Sequence, residues 1–169
     1  MNSPDMRNIL IALIILLFSG CASKSINNNE MSQIVVDYFN VYSQRNDFNL
    51  LMSFYDDNAQ FEDIIYGNSL KTKREIKEFL AWDKGEFTAL SGGQILTITK
   101  QIQDGNTVVT QGFFHEFIFD GQRMGPWLFI IYQEFNSQNK IIKQTDWINY
   151  TPREDFLGGK NMNDELIKK

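Results

Sequence analysis

Apolar residues recur at three- and four-residue steps between Met31 and Gln44, at Ile34, Val35, Tyr38, Phe39, Val41 and Tyr42. That spacing puts one continuous stripe on the buried side of an amphipathic helix. Asn46-Asp47 can cap a second, short helix over Phe48 to Tyr55, and the turn-forming run Asp56-Asp57-Asn58 closes it. A strand over Ala59 to Ile65 should follow. Thr72, with Glu75 three residues on, has capping-box spacing, and Ile76, Phe79 and Leu80 continue at helical steps as far as Gly85. Beyond Gly85, Thr, Val, Ile and Phe dominate, punctuated by Asp104-Gly105-Asn106, Asp120-Gly121 and Asn136-Ser137-Gln138-Asn139. These signals predict four long antiparallel strands near 87–103, 107–119, 125–135 and 140–150, with Gly92-Gly93 a bulge or bend in the first. Three helices followed by a meander of strands is an α+β pattern: a curved, mainly antiparallel sheet packed on the helices, whose concave face can enclose a pocket.

The first twenty residues follow a different pattern. Arg7 precedes an uncharged run, Ile9 to Phe18, that is too short to span a bilayer and has the layout of a secretory signal. It ends in Leu17-Phe18-Ser19-Gly20-Cys21-Ala22, which resembles a bacterial lipobox, with Phe18 where Leu is usual. The resemblance implies lipidation at Cys21, and Ala22 lacks the Asp associated with inner-membrane retention. The expected organisation is a lipoprotein signal peptide over 1–20, starting at Met1 or Met6, and a lipidated Cys with a polar tether over 21–30. A domain follows over 31–157, then a polar tail over 158–169. The expected location is the cell envelope, lipid-anchored, at the outer membrane and facing the periplasm in a Gram-negative cell.

Composition narrows the function. Of 169 residues, just under 150 follow Cys21, enough for one ordinary domain with a single core. Aromatics make up 14% of the chain and only 3 residues are Pro, so the apolar payload is large. A formal net charge of -5 provides no basic field for phosphate backbones, and no nucleic-acid partner is expected. The single Cys excludes an intramolecular disulfide framework and any multi-Cys metal site. No nucleotide loop, G-x-S-x-G elbow or zinc motif occurs, so neither a cofactor nor a metal is expected.

The order of elements, and the local text of the chain, resemble the nuclear transport factor 2-like superfamily with its SnoaL-like and ketosteroid isomerase-like members. Asn46-Asp47-Phe48, Phe54 to Ala59, Phe61-Glu62-Asp63, Gly67 and Lys73 to Leu80 carry the front half of the likeness, and Lys140 to Trp147 its closing strand. The resemblance implies a cone-shaped domain, and a proton-shuttling carboxylate at Asp63. Desolvation by Phe61, Ile64 and Ile65 would suit Asp63 to act as a base; otherwise it caps a turn in water. Asp146 matches the acid that works as general acid or base in limonene epoxide hydrolase-like and polyketide cyclase-like relatives. Strand alternation puts it on one face with Ile142, Gln144 and Ile148.

The chain departs from those relatives elsewhere. Gln144 stands at the epoxide hydrolase Trp position, Gly112 near the Arg position, Phe61 for the Tyr and Asp63 for the Asn. Phe39 and Ile131 occupy the approximate positions of the isomerases' oxyanion-binding Tyr and Asp, with Tyr38 and Tyr42 close by. His115, the only histidine, shares a strand face with Phe113 and Phe117; it is either a packed histidine or one half of an acid–base couple with Asp146. Trp127, Phe113, Phe117, Phe129, Tyr42 and Trp147 are candidate ligand-lining residues, alongside Trp82, Tyr132 and Tyr150, and Gln111 and Gln133 face either the pocket or the outer side.

The leading expectation is a membrane-tethered SnoaL-like pocket domain that binds a small hydrophobic molecule. One alternative is a small acid–base enzyme (isomerase, cyclase or hydrolase) using Asp63 and Asp146. Another is an envelope protein-interaction module, the sheet surface serving a partner or a second copy. The enzyme alternative requires both carboxylates on one side of the sheet.

Overall fold

A computed structural model of the chain describes residues 28–150 and 161–167; Cys21 and most of the expected tether lie outside the described residues. Helix α1 (Asn28–Gln44) buries Met31, Val35, Tyr38 and Phe39, the stripe that the apolar spacing predicts. Asp47 caps the short α2 (Phe48–Ser53), its side chain accepting from the Leu50 amide at 2.8 Å, and α2 buries Leu51 and Met52. Thr72 caps α3 (Lys73–Leu80) through the Glu75 amide at 3.2 Å, while the Glu75 carboxylate reaches back to the Lys71 amide at 2.7 Å. The helix ends at Leu80, five residues short of Gly85, because Ala81 takes a left-handed conformation (φ 46°) and bonds back to the Lys77 carbonyl.

Strand β1 (Tyr55–Asp63) begins earlier than the turn-forming Asp56-Asp57-Asn58 suggests. Those residues form an irregularity inside the strand: the pairing slips between Tyr55 and Gln60, and Asp56 satisfies the Asn58 amide. Beyond Asp63 a tight turn leads into β2 (Asn68–Leu70), antiparallel to β1.

The expected first long strand is two strands in two sheets. β3 (Phe87–Ala89) and β4 (Leu96–Asp104) are separated at Gly92 and Gly93, both at positive φ (62° and 91°), so the glycines break the strand where a bulge would have kept it whole. The second expected strand divides likewise into β5 (Thr107–Phe114) and β6 (Phe117–Phe119), and β7 (Gln122–Met124) precedes β8 (Trp127–Phe135). Asp120 and Gly121, both at positive φ, make the two-residue turn between β6 and β7. β9 (Ile141–Ile148) closes the main sheet, whose order is β2-β1-β9-β8-β5-β4, while β3, β6 and β7 form a small second sheet at one end.

All neighbours in the main sheet are antiparallel except β1 and β9, which run parallel and bring the first and last strands side by side. The inner face carries Phe61, Phe129, Ile131, Phe135 and Ile148, packed on the α1 stripe as one core. Residues 161–167, read from the sequence as part of a polar tail, dock on the end of this sheet. The Leu128 amide donates to Asn163 Oδ1 at 2.9 Å, Asn163 Nδ2 donates to the Asn149 carbonyl at 2.8 Å, and a short helix α4 (Asp164–Ile167) follows.

Candidate functional site

Because β1 and β9 are parallel and in register, Asp63 stands directly beside Asp146. Both point to the inner face: burial alternates along β1 through Ala59, Phe61 and Asp63, and Asp146 shares its face with Gln144 and Ile148. Both side chains are buried. Asp63 ends its strand, and its carboxylate is surrounded by donors. Oδ1 accepts from the amides of Ile65 (3.0 Å) and Tyr66 (2.9 Å) in the turn, and Oδ2 from the Tyr150 hydroxyl (3.0 Å). Asp146 receives one hydrogen bond among the described residues, from Gln144 Nε2 at 2.9 Å. Burial drives its pKa up to about 8; the Gln144 bond opposes this and the charge of Asp63 reinforces it. At neutral pH Asp146 is therefore mostly a neutral acid, able to donate a hydrogen bond or a proton.

A buried polar network extends inward from Asp146. Gln144 Oε1 accepts from Gln133 Nε2 (2.9 Å), the Tyr55 hydroxyl (2.8 Å) and the Tyr38 hydroxyl (3.2 Å), and the two hydroxyls lie 2.9 Å apart. Burial, first of all, holds both phenols well above their ordinary pKa, so each remains a neutral donor. Gln133 Oε1 is buried without a partner among the described residues.

Above this network the cone opens into a cavity of about 150 Å³ lined by Tyr42, Arg45, Phe114, Phe117, Trp127 and Tyr150, with Ile148 in its wall. Ile148 lies two residues beyond Asp146 on the same face of β9, so Asp146 sits one pleat repeat, about 6.6 Å, deeper. The aromatic wall is ordered edge to face: Trp127 meets Phe117 at 5.5 Å and Tyr150 at 4.9 Å between ring centroids. The Tyr42 hydroxyl has no hydrogen-bond partner among the described residues, and burial, then the charge of Asp146, raises its pKa. Arg45 ends α1 in a left-handed conformation (φ 50°), which turns its guanidinium over the rings of Phe87 (4.3 Å) and Trp82 (5.1 Å). Two larger hollows, of about 640 and 520 Å³, are open surface grooves; the second shares Trp127 and Tyr150 with the cavity, and neither is lined by Tyr42.

The structure thus brings Tyr42, Phe117 and Trp127 together in the cavity lining and Asp63 beside Asp146 beneath it, the two groups linked by the Tyr150 hydroxyl, which lines the cavity and donates to Asp63. It separates others. His115 and Phe113 lie on the outer side of the sheet: β5 turns Val108, Thr110, Gly112 and Phe114 inward and the alternate residues outward. His115 hydrogen-bonds Thr97 Oγ1 at 2.8 Å and rests against Phe113, so of its two alternatives the packed histidine is the one found, and the couple with Asp146 does not form. Its partial burial lowers its pKa. Trp147, next to Asp146 in sequence, is 43% exposed on the outer face, paired across from Ile130, and so cannot line the cavity. Phe129 faces inward but is packed between Phe39 and Phe114 as core, 2% exposed. Gln133 faces the interior, Gln111 the outside. At Gly112, near the position of the epoxide hydrolase Arg, a Cβ would collide with the Thr97 carbonyl and the Phe129 ring, so no side chain can stand there.

Arg45 and Tyr55 escaped the sequence reading. Arg45 lies one residue beyond α1, and its left-handed conformation, which nothing in the local sequence marks, is what brings it to the cavity beside Tyr42. Nothing local marks Tyr55, which begins a strand immediately before the turn-like run Asp56-Asp57-Asn58. Among the described residues no three His, Cys, Asp or Glu converge to hold a metal.

Helices packed into the concavity of a six-stranded sheet, with a pocket opening at one end above paired inner-face acids, are the architecture of the nuclear transport factor 2-like fold. Solved structures with the same fold bear various activities in their names. A candidate SnoaL-like polyketide cyclase from Shewanella putrefaciens CN-32 superposes with a TM-score of 0.57 at 18% identity, over 88% of this chain and 91% of its own. An LEH-like epoxide hydrolase from M. tuberculosis gives 0.56 at 17% identity, over 72% and 84%. A candidate ketosteroid isomerase from Kribbella flavida DSM 17836 gives 0.54 at 13% identity, over 80% and 93%. No protein-family profile and no curated protein matches the sequence. At these identities the likeness establishes the fold and no particular activity.

Proposed function

We propose that the domain binds a small, largely apolar molecule in the mouth of the cone, held at a membrane surface through a lipid on Cys21. The observation that carries this reading is the aromatic-lined cavity of about 150 Å³ opening above the buried acids. A cavity of about that size accommodates a molecule such as benzene, which favours a single ring or a short branched chain over a steroid or a polyketide. Trp127, Phe117 and Tyr150 supply the apolar walls, and the free Tyr42 hydroxyl supplies a polar contact that orients the guest.

A second reading, acid–base catalysis on the same guest, is favoured by one feature: Asp146 and Asp63 face the same interior side by side, the first a mostly neutral acid, the second held by three donors. In this reading Asp146 is the proton donor. The outer sheet face, where Ile102, Ile130 and Trp147 are exposed, is proposed as the surface where two copies meet.

Native mass spectrometry of the protein purified from its own host tests these together. A co-purifying compound of about benzene to small-indole size is the expected result, on a particle of twice the chain mass; an empty cone after gentle purification would count against the pocket, and a monomer against the paired face. With the compound identified, Asp146→Asn separates the readings: under catalysis turnover is lost while the compound still binds, whereas a pure binder shows no turnover in either form.

A further inference from the structure

The cavity mouth contains a cation that is unpaired among the described residues. Arg45 lines it, and burial lowers the guanidinium's pKa, yet among the described residues no carboxylate or other acceptor bonds to it. Its neighbours are instead the faces of Phe87 and Trp82. Ring faces fix the plane of a guanidinium without using its five N–H donors, which leaves those donors at the edge of the group, free for a ligand. A partly buried cation without a counter-ion is costly, and an anion able to accept two parallel hydrogen bonds relieves that cost. Tyr42, three residues earlier on α1, presents its own unpartnered hydroxyl to the same cavity. The remaining walls are apolar, among them Phe114, Phe117, Trp127 and Ile148, except for Tyr150, whose hydroxyl is taken up by Asp63.

Resting on the binding reading above, we propose that this pocket takes the anion of a small aromatic or branched-chain carboxylic acid. The carboxylate sits against the Arg45 guanidinium and the Tyr42 hydroxyl, and the hydrocarbon part sits among Phe117, Phe114 and Trp127. A monoanion of this kind matches Arg45, the one cation in the lining among the described residues, and the volume of about 150 Å³. The volume favours such an acid over larger acids and over phosphate esters carrying a sugar. The acids beneath do not repel such a guest strongly, because Asp146 is mostly protonated at neutral pH and three donors surround Asp63.

The probes are benzoate and benzyl alcohol, similar in size and differing in charge, titrated by calorimetry into the full chain in detergent. Benzoate is expected to bind at least tenfold more tightly than the alcohol. Arg45→Met should abolish that preference, Arg45→Lys should retain part of it, and Tyr42→Phe should weaken benzoate several-fold, with melting temperatures recorded to confirm that each variant is folded. Alcohol binding that equals or exceeds benzoate in the unaltered protein overturns the carboxylate assignment and leaves the pocket reading standing. Failure of both probes overturns the two together. A preference for benzoate that survives in folded Arg45→Met overturns the role of Arg45. Should that variant not fold, Tyr42→Phe and Arg45→Lys decide the same question.

Discussion

An ionisable side chain surrounded by apolar ones takes the protonation state that its surroundings impose, and Asp146 is the clearest instance in this chain. Its strand context, between Gln144 and Ile148 on one face, already marks it as a carboxyl in apolar company. What raises its pKa to about 8 is burial under α1 and, secondarily, the charge of Asp63. The sign of the consequence follows. The folded state holds a proton that the unfolded chain releases near pH 4, so this contribution to stability is fully present below that pH. It declines as pH rises towards 8, by an amount on the order of a few kcal/mol. Asp146→Asn, which keeps the acceptor for Gln144 and cannot ionise, should flatten stability between pH 4 and 8 and leave the protein as stable as the parent or more so at pH 8. Urea denaturation at several pH values measures it; a variant much less stable at pH 8 would identify Asp146 as a needed charge. His115 illustrates the opposite case. Its company of Phe residues was visible, but whether that face looked inward or outward was not, and the neighbour it found is Thr97.

At the scale of the element, local signals were reliable where the forces are local. The α1 stripe, the Asp47 cap and the Thr72–Glu75 pair are each made by residues within a turn of one another, and each stands as the spacing predicts. Strand lengths were less legible. Residues 107–119 have β composition throughout and 87–103 is interrupted only around Gly92-Gly93, and what the composition does not show is a change of sheet: β3 and β6 leave the main sheet together, stitched by the Leu90 amide to the Glu116 carbonyl (3.3 Å) and the His115 amide to the Ile95 carbonyl (2.8 Å). Gly112 carries a meaning that appears only across strands. It sits opposite Phe129, whose ring fills the space of a missing side chain and completes the core where a relative's Arg was sought. Gly112→Ala should therefore cost about 1–3 kcal/mol through overpacking. A fall in the denaturation midpoint with unchanged slope is the expected outcome, and no loss of stability would mean that both the Thr97 backbone and the Phe129 ring give way freely.

For the whole molecule, the decisive event is the parallel pairing of β1 with β9. It joins the two ends of the described domain and converts two distant acids into neighbours. It also sets the outer face, where Trp147 and Ile130 emerge beside each other. The expected attachment to a membrane is tested at the same scale. Cys21→Ser should shift the protein from the membrane to the soluble fraction and abolish acylation, read by fractionation and metabolic labelling with a fatty acid; membrane retention with acyl label would sink the lipoprotein expectation.

By itself the chain determined the α+β class, the helix stripes and caps, the turns at Asp104-Gly105-Asn106 and Asn136 to Asn139, and two acids suited to one interior. These depend on periodicity and on side chains within a few residues of the backbone they bond. Tertiary structure alone decided that Asp63 and Asp146 are adjacent, that His115, Phe113 and Trp147 face away from them, that Gly112 leaves no room for a cation, and that Arg45 supplies one from another side. In a strand, a shift of one residue or a change of partner reverses which face a side chain shows. Pairing is settled by contacts between segments remote in sequence, and so the composition of the pocket is a property of the register and cannot be read from any one segment.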